Sequence, residues 1–229
     1  AKGHDDIFRI GVAISDSPVG PFIPEEEPIR NSFSIDPAVY KDEDGSYYMY
    51  FGGIWGGQLQ RWRNGLFNAS QPESPIAHLP EPNEPALCAK VAKLTDDLLE
   101  FAEDPSDVII LDENGKPLLQ GDTERRFFEA SWLHKYNGKY YFSYSTGDTH
   151  FLCYAIGDNP YGPFTYGGRI LEPVVGWTSH HSICEFEGKW YLFYHDSSLS
   201  KGVTHLRCVK VTELVHDENG KIKTIKPYR

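Results

Sequence analysis

The chain has 229 residues, 40% of them hydrophobic and 14% aromatic, and carries 22 basic against 33 acidic side chains, a net charge of −11 at pH 7. That charge repels phosphate backbones and anionic lipid surfaces, and the apolar content excludes global disorder. No apolar run reaches the ~18 residues that a membrane-spanning helix needs, and the N-terminal stretch has no charged-then-apolar signal pattern, so the chain reads as soluble.

Helical periodicity is scarce. Short runs rich in Tyr, Phe, Val and Ile, bounded by Gly, Pro, Asp and Asn, make this an all-β sequence. In chain order, residues 7–13 read as the third strand of a unit whose first hairpin is absent. A complete unit follows over about 35–118, another over about 128–171, and a last one from about 179 to the end. Each complete unit opens with a strand, a tight Gly-containing turn and an aromatic strand. The turns fall at Gly45, Gly138 and Gly188, and the aromatic strands include Tyr47-Tyr48-Met49-Tyr50-Phe51 and Trp190-Tyr191-Leu192-Phe193-Tyr194. A second motif repeats as well, since residues 11–22 and 153–164 share Ala-Ile, Asp, Pro and Gly-Pro-Phe at the same spacing. Four-stranded units of ~40–50 residues, repeated, are the signature of a β-propeller.

Propeller chemistry usually sits at the hub, where the first strand of each unit starts. Asp36, Glu129 and the pair His180 and His181 occupy those places. Asp36, followed by Pro37, fits either a strand-start turn or a functional carboxylate. Glu129, between Phe127-Phe128 and Ala130-Ser131-Trp132, is a carboxylate entering an apolar strand. Burial there raises a carboxyl pKa, as a general acid working near neutral pH requires. Two carboxylates converging on an aromatic-rimmed pocket are equipment for glycoside hydrolysis.

The segments around Asp36, Glu129, His180-His181 with His195, and Arg207, in that order, resemble glycoside hydrolase family 43, the five-bladed propellers that include β-xylosidases and α-L-arabinofuranosidases. The resemblance implies that the chain covers roughly blades two to five of a single catalytic domain, 1–229, incomplete at its N-terminus. It implies Glu129 as the general acid and Asp36 as the carboxylate that tunes and orients it. His180, with His181 as the alternative, would hold a hydrated calcium ion in the central channel, and Arg207 would bind hydroxyls of the innermost sugar. The implied reaction is inverting hydrolysis that removes xylose or arabinofuranose from xylan- or arabinan-derived oligosaccharides. The catalytic base of the family lies in an Asp-Pro motif upstream. Asp5, Asp6 and Asp104 are poor substitutes, so none is assigned.

Trp55 and Phe128 are further candidate substrate contacts. Trp55 fits either stacking on a sugar face or packing over a blade edge, and Trp177 carries the same two readings. Arg61 and Arg63 read as partners for surface acids, and His195 as the close of a core strand. Residues 64–84, with Pro72, Pro75, Pro80 and Pro82, form an insertion loop. Cys88, Cys153, Cys184 and Cys208 form no Cys-x-x-Cys pair and read as buried free thiols, which lean towards a cytoplasmic setting. A non-catalytic carbohydrate-binding propeller, an inactive fragment and an interaction scaffold are the competing functions. The expected partners are an oligosaccharide and either a complementary N-terminal segment or a second copy, with no nucleic acid and no membrane.

Overall fold

In the computed structural model, which describes every residue except 71–73, 75, 76, 178, 179 and 229, strands dominate and the helical content is three single 3-10 turns. Pro72 and Pro75 of the insertion loop, and Thr178 and Ser179 at the start of the last unit, lie outside the described residues. The first sheet pairs β1 (Ala13–Ile14) with β2 (Ile23–Pro24). The second is β3 (Ala38–Lys41), β4 (Tyr47–Phe51), β5 (Ala89–Lys93) and β6 (Ser106–Val108), in that order. Next in the chain comes the short β7 (Ile110–Leu111). The third sheet runs β8 (Glu129–Tyr136), β9 (Lys139–Ser145), β10 (Leu152–Gly157) and β11 (Phe164–Leu171). Strand β7 pairs in parallel with β11, which makes this sheet five-stranded. The last sheet contains β12 (His181–Phe186), β13 (Lys189–Asp196) and β14 (Cys208–Leu214). Apart from β7, the strands of the three larger sheets meander antiparallel, and β3, β8 and β12, the first strands, pack side by side as the hub of a β-propeller.

The hairpin turns follow from their sequence. Asn137-Gly138 and Glu187-Gly188 have positive φ at both positions, 47° and 75° in one and 53° and 77° in the other, the two-residue turn whose twist matches antiparallel strands. Asp112 and Asp217 close twin turns by accepting backbone N–H bonds two and four residues on, each at 2.8 Å.

Between the second and third sheets the core is aromatic, with Tyr50, Phe127, Phe142, Tyr144 and Phe164 all buried. A second cluster around Tyr141, Tyr154, Leu192 and Tyr194 joins the third sheet to the last. Residues 7–12 do not form the expected strand. The Ile10 N–H donates to Ser32 Oγ and its carbonyl accepts from Ile29, so its backbone is spent on a loop and not on a ladder. The cysteine reading also needs correction. All four thiols are free, but Cys153 alone is buried; Cys88 and Cys208 are partly buried, and Cys184 is exposed in the outer half of β12, where Glu185 and Phe186 are exposed as well.

Candidate active site

Asp36 precedes β3, Glu129 opens β8 and His180 precedes β12, so three adjacent hub strands bring their starts to one place. Asp36 Oδ2 accepts hydrogen bonds from His180 Nε2 at 2.9 Å and from the Ala130 backbone N–H at 3.4 Å. Asp36 and Ala130 both adopt the left-handed backbone, with φ of 62° and 64°. That conformation costs a non-glycine residue about 1–3 kcal/mol and persists only where the surroundings enforce it. It re-aims the chain at the point where each strand enters the hub.

Glu129 is 9% exposed. Burial pushes its carboxyl up to about 7, the charge of Asp36 adds to the rise, and His180 and Arg207 oppose it. Burial pulls the His180 imidazole down, yet its bond to Asp36 and the charges of Asp36 and Glu129 outweigh that effect, leaving it above its ordinary value. The arrangement places a carboxyl group able to hold or release a proton near neutral pH beside a hydrogen-bonded carboxylate–imidazole pair.

His181 points elsewhere. Its Nε2 lies 2.7 Å from Ser143 Oγ, and burial pulls the ring down to about 3, so it is a neutral link between β9 and β12. His195 does more than close a strand. Its Nε2 accepts the His180 backbone N–H at 3.1 Å, and burial pulls it down to about 4, which keeps it neutral and able to accept. The only sequence signal for this role was a histidine ending an aromatic strand. Arg207 is exposed beside it, with Nε donating to the Thr204 carbonyl at 3.0 Å and Nη1 lying 3.5 Å from His195 Nε2.

Trp55 approaches from the other side. The Ile54 N–H donates to the Phe128 carbonyl at 3.0 Å, which ties this loop to the residue before Glu129, and the Gly53 N–H donates to Ser34 Oγ at 2.9 Å, two residues before Asp36. Gly53 makes the approach possible, because a Cβ there would lie 2.7 Å from Ile35 Cγ1 and 3.5 Å from Glu129 Cβ. The Trp55 ring meets Phe128 edge-on at 5.2 Å and stacks against Trp177 at 6.0 Å, 15° from parallel. Phe128 itself is 2% exposed and belongs to the core, so it supports Trp55 from beneath and does not offer a ligand contact.

Arg63 pairs with Glu84 at 2.8 Å, whereas Arg61 donates to the Ser70 carbonyl and lies over Phe67. Asp5 is bidentate on Arg9, Asp6 pairs with Lys2, and Asp104 accepts from Asn31. Among the described residues no group of three or more His, Cys, Asp and Glu side chains is placed to hold a metal ion. Calcium takes six to eight oxygen ligands. His180 offers one imidazole, whose Nε2 is already bonded to Asp36. The donor set does not fit a protein-built calcium cage, and an ion held there would keep its own water shell.

No protein-family model matches the chain. It is 66% identical over 225 residues to a xylosidase/arabinosidase of Bacteroides ovatus, covering 98% of this chain and 67% of that protein. Identity to xylosidase/arabinosidase 43A of Humicola insolens is 62% over 232 residues, covering 99% and 70%. Among solved structures, a family 43 β-xylosidase/α-arabinofuranosidase from a compost metagenome, calcium-free and bound to xylotriose, superposes with a TM-score of 0.95 at 63% identity, over all of this chain and 69% of that one. A family 43 enzyme from Xanthomonas citri in complex with xylotriose gives 0.94 at 54% identity, over 100% and 68%.

Proposed function

The chain belongs to glycoside hydrolase family 43, and from that premise we propose that it removes xylose or arabinofuranose residues from xylan- or arabinan-derived oligosaccharides. The observation that carries the chemistry is the buried Glu129 carboxyl, pushed up to about 7 beside Asp36. Protonated Glu129 donates to the glycosidic oxygen as the bond to the anomeric carbon breaks, so the leaving sugar departs as an alcohol. Asp36, fixed by His180 and Ala130, holds the charge that keeps that proton on Glu129 until the oxygen demands it. Arg207, at the rim, contributes hydroxyl recognition. In an inverting reaction water attacks the opposite face of the sugar, with a carboxylate as base. That base is not assigned to a residue of this chain. A hydrated calcium ion at His180 is proposed on the resemblance alone, and no step runs through it.

Homologous structures with bound xylose and xylotriose support an oligosaccharide as the ligand. The last sheet exposes Phe186 at 63% and Val209 at 79%, and the first exposes Ile23 at 71%. Such faces support a second partner, a complementary β-rich segment or another copy of the chain.

The test is hydrolysis of aryl β-D-xyloside, aryl α-L-arabinofuranoside and xylotriose by the chain, beside Glu129→Gln. Release of xylose or arabinose that the substitution abolishes is the expected result. A folded chain that binds xylotriose and cleaves none of the three overturns the hydrolase reading.

A further inference from the structure

We propose that Trp177, stacked on Trp55, forms the platform for the sugar on the leaving-group side of the scissile bond, and that His150 is its positioning residue. The proposal rests on the hydrolase reading above and extends it to a subsite. Trp55 is fixed next to Glu129, since its loop bonds to the Phe128 carbonyl and its ring sits on the Phe128 edge. The group protonated by Glu129 is the leaving oxygen, so the aromatic surface nearest Glu129 faces the departing sugar. Trp177 stacks on that ring, 15° from parallel to it and 38% exposed, and so carries the aromatic surface outward. An enzyme that removes terminal residues buries the terminal sugar deepest and meets the rest of the chain at its rim, where Trp177 lies. Tryptophan presents a flat apolar face that suits the C–H face of a pyranose.

The His150 ring meets Trp177 edge-on at 4.8 Å and 89°. Its Nδ1 is buried with no hydrogen-bond partner among the described residues, so ring contact fixes its place there. His150 ends the 3-10 turn Gly147–Thr149, which is pinned in turn. Buried Arg126 donates to Asp148 at 3.4 Å, and Thr149 Oγ1 donates to the Thr123 carbonyl at 2.6 Å. Gly147, at φ +70°, lies so close to Phe128 that a Cβ would come within 2.2 Å of its ring. One turn therefore backs both the Phe128 support and the Trp177 ring.

The experiment compares xylotriose with β-D-xylosyl fluoride, which has the same terminal sugar and no leaving-group ring. For Trp177→Ala, kcat/KM on xylotriose should fall relative to kcat/KM on the fluoride by about tenfold, carried mainly by KM. Trp177→Phe should restore most of the ratio. His150→Ala should shift the ratio the same way by less, with rescue by His150→Phe, whose edge can replace the imidazole. An equal loss on both substrates, or a loss without phenylalanine rescue, overturns the subsite. If the wild type cleaves neither substrate, the hydrolase reading fails separately, and xylotriose affinity measured by calorimetry decides the platform. Weaker binding by Trp177→Ala then supports it and unchanged binding overturns it.

Discussion

Strand β8 buries a titratable group near each end, Glu129 at its start and His134 further along, and burial drives both towards the neutral form. Glu129 is pushed up to about 7 and His134 well below its ordinary value. Their neighbours differ. Glu129 lies within the influence of Asp36, His180 and Arg207, at the open end of the hub. His134 is enclosed by rings. Its Nε2 is 3.2 Å from His216 Nε2, its ring is 5.0 Å from both Tyr141 and Trp190, and His216 lies flat on Tyr136 at 3.8 Å. Burial alone thus makes a neutral group; charges arranged around it, and an opening for a ligand, make one whose proton can be used.

The sharpest way to break this contrast is to neutralise the first end. Glu129→Gln should lower kcat on xylotriose by about 10²–10⁴, the usual worth of a general acid, and an effect under tenfold would place Glu129 with His134 as structural. Asp36→Asn removes a charge that raises the Glu129 pKa. The acid must be protonated, so activity falls as pH rises through about 7, and in Asp36→Asn that descending limb of the kcat profile should move to lower pH. The two ends should also oppose each other in stability. A carboxyl whose folded pKa is raised contributes stability below its unfolded value and loses it as pH rises through about 7, so Glu129→Gln should gain in Tm over wild type above that pH. The histidines have depressed folded values, so their contribution is present above the unfolded value and lost as pH falls towards about 4, the value of His216. The double change His134→Leu with His216→Phe should flatten the fall in Tm between neutral and acid pH. The smallest effect belongs to a site outside both ends. Asp217→Ala removes two hydrogen bonds of a surface turn and should cost about 1 kcal/mol in urea unfolding, with no change in the pH profile.

Local chemistry was readable in the sequence wherever one segment carried it. Asn137-Gly138 and Glu187-Gly188 announced their turns, and Glu129 between Phe128 and Ala130 announced a buried carboxyl. The repeat then placed Asp36 and His180 at equivalent strand starts. Pairings between distant segments were not readable. Nothing local tells that Trp55 meets Trp177, that His150 meets the Trp177 ring edge-on, or that His195 accepts the His180 N–H, because those contacts join distant segments of the chain. Phe128 looked like a ligand contact because it adjoins Glu129, yet its ring is spent in the aromatic core, against Trp55 and close to Gly147. Residues 7–12 have the composition of a strand but take their hydrogen bonds from a loop, and composition does not show where a backbone finds its partner.

Strand β7 follows the second sheet in the chain but pairs with the outer edge of the third. Arrays of repeats often open one unit at a time, each depending only on its own contacts and those of its neighbour. Here the edge of one blade is hydrogen-bonded by chain that belongs to the blade before it, like a clasp sewn to one panel and fastened on the next. Amides of β11 facing β7 should therefore exchange with solvent only when both blades loosen, which makes the pair, and not the single blade, the smallest unit that opens cooperatively.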